Sequence, residues 1–201
     1  PLLNTSAGTT FTFAWYNCSS LTSFPLIDTS SGVSFDSAWR FCSGLTSFPL
    51  LDTSSGVNFQ SAWETCSSLT SFPLLDTSSG TNFQAAWIGC NSLTSFPAIN
   101  TAASTNFAFA WYGCSSLASF PLLNTAAGTN FYGAWYGCQA LTDFPALVFD
   151  SSVTGSATES PTIASGFVST WKNCTSLTTF PAGRFNSVTN CNRFLEAWTG
   201  C

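Results

Sequence analysis

The chain has 201 residues, of which only 6% are charged, and its formal net charge is −5. Four basic residues, Arg40, Lys172, Arg184 and Arg193, do not make the Lys/Arg cluster that phosphate binding requires, so a nucleic-acid partner is not expected. There is no histidine, which leaves no Ser-His-Asp or Cys-His arrangement to assemble, and no apolar run of ~18 residues to span a membrane.

Tryptophans Trp15, Trp39, Trp63, Trp87, Trp111 and Trp135 follow one another at a constant step of 24 residues, and Trp171 and Trp198 come after steps of 36 and 27. Each has a cysteine three residues on: Cys18, Cys42, Cys66, Cys90, Cys114, Cys138, Cys174 and Cys201. The skeleton is F-x-x-A-W-x-x-C-x-x-L-x-x-F-P, and a fixed period of this kind marks a solenoid whose units bury their apolar faces only against neighbours. The expected organisation is a single domain over 1–201. Regular coils fill 1–145, a coil with a 12-residue insertion fills 146–180, and an irregular C-terminal coil fills 181–201.

Within a unit, Phe35, Ala38, Trp39 and Cys42 stand at i, i+3, i+4 and i+7, with Leu45 beyond, which predicts the buried face of a short helix. Thr10, Ser34, Asn58, Asn82, Asn106 and Asn130 precede the phenylalanine and are preferred helix N-caps. Next, Leu45-Thr-Ser-Phe48-Pro49-Leu50-Leu51 alternates around Phe48 and Leu50 and predicts a short β-strand stacked in parallel on its equivalents. Its proline limits the pairing to a few residues. Strict alternation from Phe24 would turn Leu3, Ile27, Leu51, Leu75, Ile99 and Leu123 outward. Asp52-Thr-Ser-Ser-Gly56 then supplies a turn, with Gly56 available for positive φ. The predicted fold class is an α/β solenoid, leucine-rich-repeat-like, of about eight 24-residue coils, each with a short β-strand and a short helix, over a parallel stacked sheet.

The run C-S-S-L-T-S-F-P-L-L-D-T-S-S resembles the BspA-type leucine-rich repeats of bacterial and phage-encoded surface proteins. Their units also combine an aromatic-x-x-Cys helix end, a Leu-Thr-Ser strand and an Asp-Thr-Ser turn. Trp stands here where the family usually has Phe, and Phe-Pro occupies the usual second Leu site and its neighbour. The resemblance implies a surface protein of cell, extracellular fibre or virion.

The tryptophans, each sharing a face with Phe and Cys, are expected in the core rather than as sugar platforms. One thiol per coil, with no C-x-x-C, argues against zinc and for buried thiols, with Cys191 able to pair with Cys174 or Cys201. Asp28, Asp52 and Asp76 form a column continued by Asn4, Asn100 and Asn124, which fits a side-chain-capped turn better than calcium or paired catalytic carboxylates. Insertions in repeat proteins map to loops on one face, often the binding face, so Asp150, Ser151, Thr154, Thr158, Glu159 and Pro161 form a possible interaction loop. The Arg184, Arg193, Glu196 and Asn190-Cys191-Asn192 group reads as a polar cap, whereas Pro1-Leu2-Leu3 is an ordinary interior repeat, as if further chain preceded it.

No catalytic, metal or cofactor-binding residue emerges, and no cofactor. The expected role is a non-enzymatic structural or adhesive repeat protein acting through a protein partner or self-association. The alternative is a carbohydrate-binding or ice-binding module using the Thr22, Thr46, Thr70 and Thr94 column and its serine neighbours.

Overall fold

In the computed structural model the described residues are 4–146, 149, 153, 166–183, 185–186, 188–191 and 193–201. The direction of the backbone amides in the F-x-x-A-W-x-x-C segment decides the architecture. The amides of Phe59, Ser61, Trp63 and Thr65 donate out of their coil, to the carbonyls of Asn82, Gln84, Ala86 and Ile88 in the next coil, at 2.6–2.9 Å. The amides between them turn inward: Ala62 donates to Phe59, Glu64 to Ser61 and Cys66 to Trp63 at 3.1–3.2 Å. The segment is thus a ribbon of overlapping turns, and every second N–H belongs to the neighbouring coil.

This corrects the predicted fold class. Among the described residues there is no α-helix, no regular strand and no sheet; strand-like pairing between successive coils is confined to isolated parallel bridges such as Ser34↔Asn58 and Asn58↔Asn82. Spacing gives the reason. Packed helices need ~8–10 Å between axes, whereas tryptophan rings of successive coils lie 5.3–5.8 Å apart, within 4–9° of parallel. A turn ribbon stacks at that distance and a helix does not.

The ribbon has a conformational cost. Its first and third turns place residues such as Ser61 and Thr65 at positive φ, 50° and 60°, the conformation a type II turn needs at its third position. Later coils use glycine there: Gly89, Gly113, Gly133 and Gly137. A Cβ on Gly137 would meet its nearest atoms at 3.8 and 3.9 Å, so space is available and only the backbone objects. Gly137→Ala is expected to cost about 1–2 kcal/mol, while Thr65→Ala, which keeps an L-residue at positive φ, leaves that backbone term unchanged. Urea unfolding of the two variants checks this.

The predicted cap residues Asn58, Asn82, Asn106 and Asn130 do cap, but they cap this ribbon. The Asn58 side-chain oxygen accepts the Gln60 amide at 3.1 Å, and Asn82, Asn106 and Asn130 repeat the bond with Gln84, Ala108 and Tyr132.

The predicted strand fails at its proline. The Leu51 amide donates to the Pro49 carbonyl at 3.0 Å, and Leu75 and Ile99 do likewise with Pro73 and Pro97. This three-residue γ-type turn breaks the alternation, so the column expected outside turns inward from Ile27, which is partly buried, onward; its first member, Leu3, lies outside the described residues. Leu51, Leu75, Ile99 and Leu123 are buried, and Leu26, Leu50, Leu74 and Leu122 face solvent. Gly56 is not at positive φ but a close-approach residue, like Gly32 and Gly80, whose added Cβ would fall 2.6 and 2.7 Å from a phenylalanine ring carbon.

Behind the aspartate turn a buried threonine ladder ties the coils together. Thr29, Thr53, Thr77 and Thr101 donate their hydroxyls to the carbonyls of Asp52, Asp76, Asn100 and Asn124 in the following coil, at 2.5–2.6 Å. Past the regular coils, Phe149 and Phe185 hold this position and stack on each other at 5.6 Å. The 12 extra residues leave the columns unbroken: Asn130 bridges Gly166, and Trp135 stacks on Trp171 at 5.8 Å and 4°.

Candidate functional site

Three aromatic columns run through the core. Rings at Phe11, Phe35, Phe59 and their equivalents lie nearly parallel to the tryptophans, while Phe24, Phe48, Phe72 and theirs meet them edge-on. Trp63, for example, meets Phe72 at 4.8 Å and 79°. Trp39, Trp63, Trp87, Trp111, Trp135 and Trp171 are fully buried; Trp15 is partly buried and Trp198 is 37% exposed. The six buried indole N–H groups have no hydrogen-bond acceptor. Stacked rings aim their donors alike, so no coil offers its neighbour a lone pair.

The cysteine ladder is structural. Each thiol donates to the tryptophan carbonyl of the preceding coil: Cys42 to Trp15, Cys66 to Trp39, Cys90 to Trp63, Cys114 to Trp87, Cys138 to Trp111, Cys174 to Trp135 and Cys201 to Trp171, at 2.9–3.3 Å. No cysteine is in a disulfide, and Cys18 and Cys201 are the exposed ones. The Cys191 thiol lies 3.9 Å from the Arg193 carbonyl instead of pairing with Cys174 or Cys201. Burial pushes the Cys42 thiol up to about 11 and Cys174 to about 12, with neighbouring thiols adding to it. Cys66, Cys90, Cys114 and Cys138 are pushed up further. A thiol must ionise to attack or ligate, and these are held protonated.

The Asp/Asn column closes its own turns. Asp28 accepts the Ser30 amide at 3.1 Å and hydroxyl at 2.7 Å, Asp52 does the same with Ser54, and Asp76, Asn100 and Asn124 accept the amides two residues on. The Ser30 hydroxyl and amide hold the Asp28 carboxyl below its usual range; for Asp76 the Ser78 amide leads. Among the described residues no three His, Cys, Asp or Glu groups gather to hold a metal ion. A chelator is expected to leave the melting temperature unchanged, and a rise of many degrees with added calcium would contradict that.

In the threonine column, Thr46, Thr70 and Thr94 donate their hydroxyls to the carbonyls of Thr22, Thr46 and Thr70 at 3.2–3.4 Å. The outward feature missed in the sequence is the leucine row. Leu26, Leu50, Leu74 and Leu122 are 60–74% exposed along one face, and a shallow depression of about 450 Å³ beside the first coil's Cys18 is lined by residues 17–21. The six loop residues Asp150, Ser151, Thr154, Thr158, Glu159 and Pro161 lie outside the described residues. Arg193 of the expected cap is buried rather than solvated, while Leu195 and Trp198 beside it are exposed.

These features define a repeat protein of stacked, turn-built coils with an aromatic core. Comparison with protein-family models, with curated proteins and with solved structures found no match to the chain. Among the described residues, no helix is long and apolar enough to cross a membrane.

Proposed function

We propose that the chain is a non-enzymatic structural or adhesive repeat, displayed on a cell surface, extracellular fibre or virion and acting in protein–protein interaction or assembly. The observation that carries this reading is where the reactive side chains are spent. Seven of the eight ladder thiols, the aspartates of the turn column and the threonines of the buried ladder are committed to a coil-to-coil or turn-closing bond, which leaves regular stacked coils with a row of exposed leucines. Contiguous apolar surface of that kind marks an interaction face. The resemblance to BspA-type repeats supports the surface setting.

The rival reading, carbohydrate or ice recognition by threonine columns, is weakened because the hydroxyls of Thr46, Thr70 and Thr94 already donate to backbone carbonyls. A glycan array and a thermal-hysteresis assay separate the two. No specific glycan and no hysteresis are expected; either signal would hand the role to the rival.

A further inference from the structure

We propose that the half-buried aromatic groove formed by Ile88, Phe109, Tyr112, Tyr132 and Tyr136 binds an uncharged, proline-rich segment of a partner protein in the polyproline II conformation. The groove belongs to the outer side of the tryptophan segment and not to the leucine row, so this partner goes beyond the assembly reading above.

The residue after each core tryptophan stays partly exposed, in the order Arg40, Glu64, Ile88, Tyr112, Tyr136 and Lys172. The three in the middle are uncharged, and each is followed by glycine: Gly89, Gly113 and Gly137. A Cβ added to Gly113 or Gly137 would meet only the backbone of the preceding glycine, at 3.8–4.0 Å. A bare shelf of backbone therefore runs beside the column over these coils. Phe109 stands across it, its ring 5.8 Å from Tyr112 at 68° and 4.8 Å from Tyr132 at 82°. Ile88, Phe109 and Tyr112 line a depression of about 240 Å³.

Charge sets the first property of the ligand. Residues 77–142 contain no Asp, Glu, Lys or Arg. The nearest charges of the column are already paired, Glu64 with Arg40 and Lys172 with Glu196, each at 2.7 Å. A charged partner would lose hydration here and gain no counter-charge.

Ring orientation sets the second. Tyr112 and Tyr136 stack at 4.6 Å and 14°, so they cover each other's faces and turn their edges outward. A sugar platform needs an open ring face, whereas ridges of aromatic edges with a groove between them suit proline rings. Proline also has no N–H to orphan against apolar rings, and a polyproline II segment is ordered before it binds. Its carbonyls need donors. The Tyr136 hydroxyl accepts the Asn173 amide at 3.2 Å. Burial, the neighbouring Tyr136 phenol and a hydrogen bond to it raise the Tyr112 hydroxyl above its usual range, which makes Tyr112 the donor of that pair. Tyr136 thus accepts on two sides and keeps its own proton for a ligand carbonyl.

The spacings agree as well. Coils bridged in parallel repeat at about 4.8 Å, so two coils span about 9.6 Å. One polyproline II turn of three residues advances about 9.3 Å. Side chains i and i+3 of a segment laid along the column therefore fall two coils apart. One enters the groove at Ile88 and Phe109, and the next meets Tyr136 and the stem of Lys172, whose Nζ lies 6.0 Å from that ring.

The test is fluorescence anisotropy of a labelled peptide repeating Pro-Pro-Ala, titrated with the full chain, beside the same peptide with serine for proline. Saturable binding of the proline peptide alone is expected, with little change on adding salt, since no charge takes part. Phe109→Gly and Tyr112→Glu place there the residues that Gly133 and Glu64 already carry at equivalent positions, so both variants keep the fold. Each should weaken binding more than about tenfold, while Leu50→Ser with Leu74→Ser should leave it intact. No saturable binding, equal binding of the serine peptide, or binding indifferent to both groove variants would overturn the proposal. A neutral oligosaccharide such as maltohexaose bound in place of the peptide, with the same loss in the variants, would overturn its choice of ligand. Peptide binding that survives the groove variants and vanishes with the leucine pair would also overturn the groove, yet leave the interaction reading of the leucine row standing.

Discussion

Replacing Trp87 by alanine is expected to lower the unfolding free energy by about 3–5 kcal/mol. The indole stacks on Trp63 and Trp111 at 5.5 Å each, on Phe83 at 5.7 Å, and meets the edges of Phe72 and Phe96 at 5.3 and 4.8 Å. Five rings lose a partner at once, and in a 5.3–5.8 Å stack the neighbours have little freedom to close the hole. Trp87→Phe should be far milder. It keeps a ring in the column, and it removes a buried indole N–H that has no acceptor, a defect worth about 1–3 kcal/mol. Urea unfolding of both variants decides the matter; a loss below about 1 kcal/mol for the alanine would mean that the columns do not hold the fold.

The second large effect lies on the alkaline side. In the unfolded chain the thiols titrate near ~8.5, while in the fold Cys42 is raised to about 11, Cys174 to about 12, and Cys66, Cys90, Cys114 and Cys138 higher still. A raised folded value means that the fold holds protons the unfolded chain has released. This contribution is fully present below the unfolded value and is lost as pH climbs toward the folded one. Each thiol fully ionised only when unfolded removes about 1.4 kcal/mol per pH unit. Cys66, Cys90, Cys114 and Cys138 together therefore steepen the decline by about 5 kcal/mol per unit above roughly pH 9.5. Urea unfolding at stepped alkaline pH measures the slope, and Cys90→Ala with Cys114→Ala should remove about half of that four-thiol contribution. A profile indifferent to that double substitution would contradict the burial and protonation assigned to the ladder.

Much of the architecture was legible in the sequence, because one aromatic triad per 24 residues can be buried only by stacking. The secondary structure was not. Phe59, Ala62, Trp63 and Cys66, headed by Asn58, satisfy a helix pattern, but a ribbon of overlapping i→i+3 turns buries the same four residues and takes the same cap. The distinguishing trace was glycine at Gly89, Gly113, Gly133 and Gly137, the places where φ is positive. Phe41 and Thr65 at equivalent places hid it, since a side chain there normally argues against that conformation.

The outward leucine row was misread by one residue because the turn at Pro49 reverses the expected alternation between Leu50 and Leu51. The buried threonine was readable after the fact. The D-T-S turn keeps Thr29, Thr53 and Thr77, and the column passes to Thr101 and Thr125 even where Asp gives way to Asn. A residue needed only for a solvated turn would not require a hydroxyl at that place.

The central claim is that alternate amides of the tryptophan segment leave their own coil. The most direct measurement is the scalar coupling across hydrogen bonds from the amide nitrogens of Phe59, Ser61 and Trp63, read by NMR on isotope-labelled protein. Couplings to the carbonyl carbons of Asn82, Gln84 and Ala86 in the next coil are expected. Couplings from Trp63 to Phe59, and along the chain at the i→i−4 step of a helix, would contradict it.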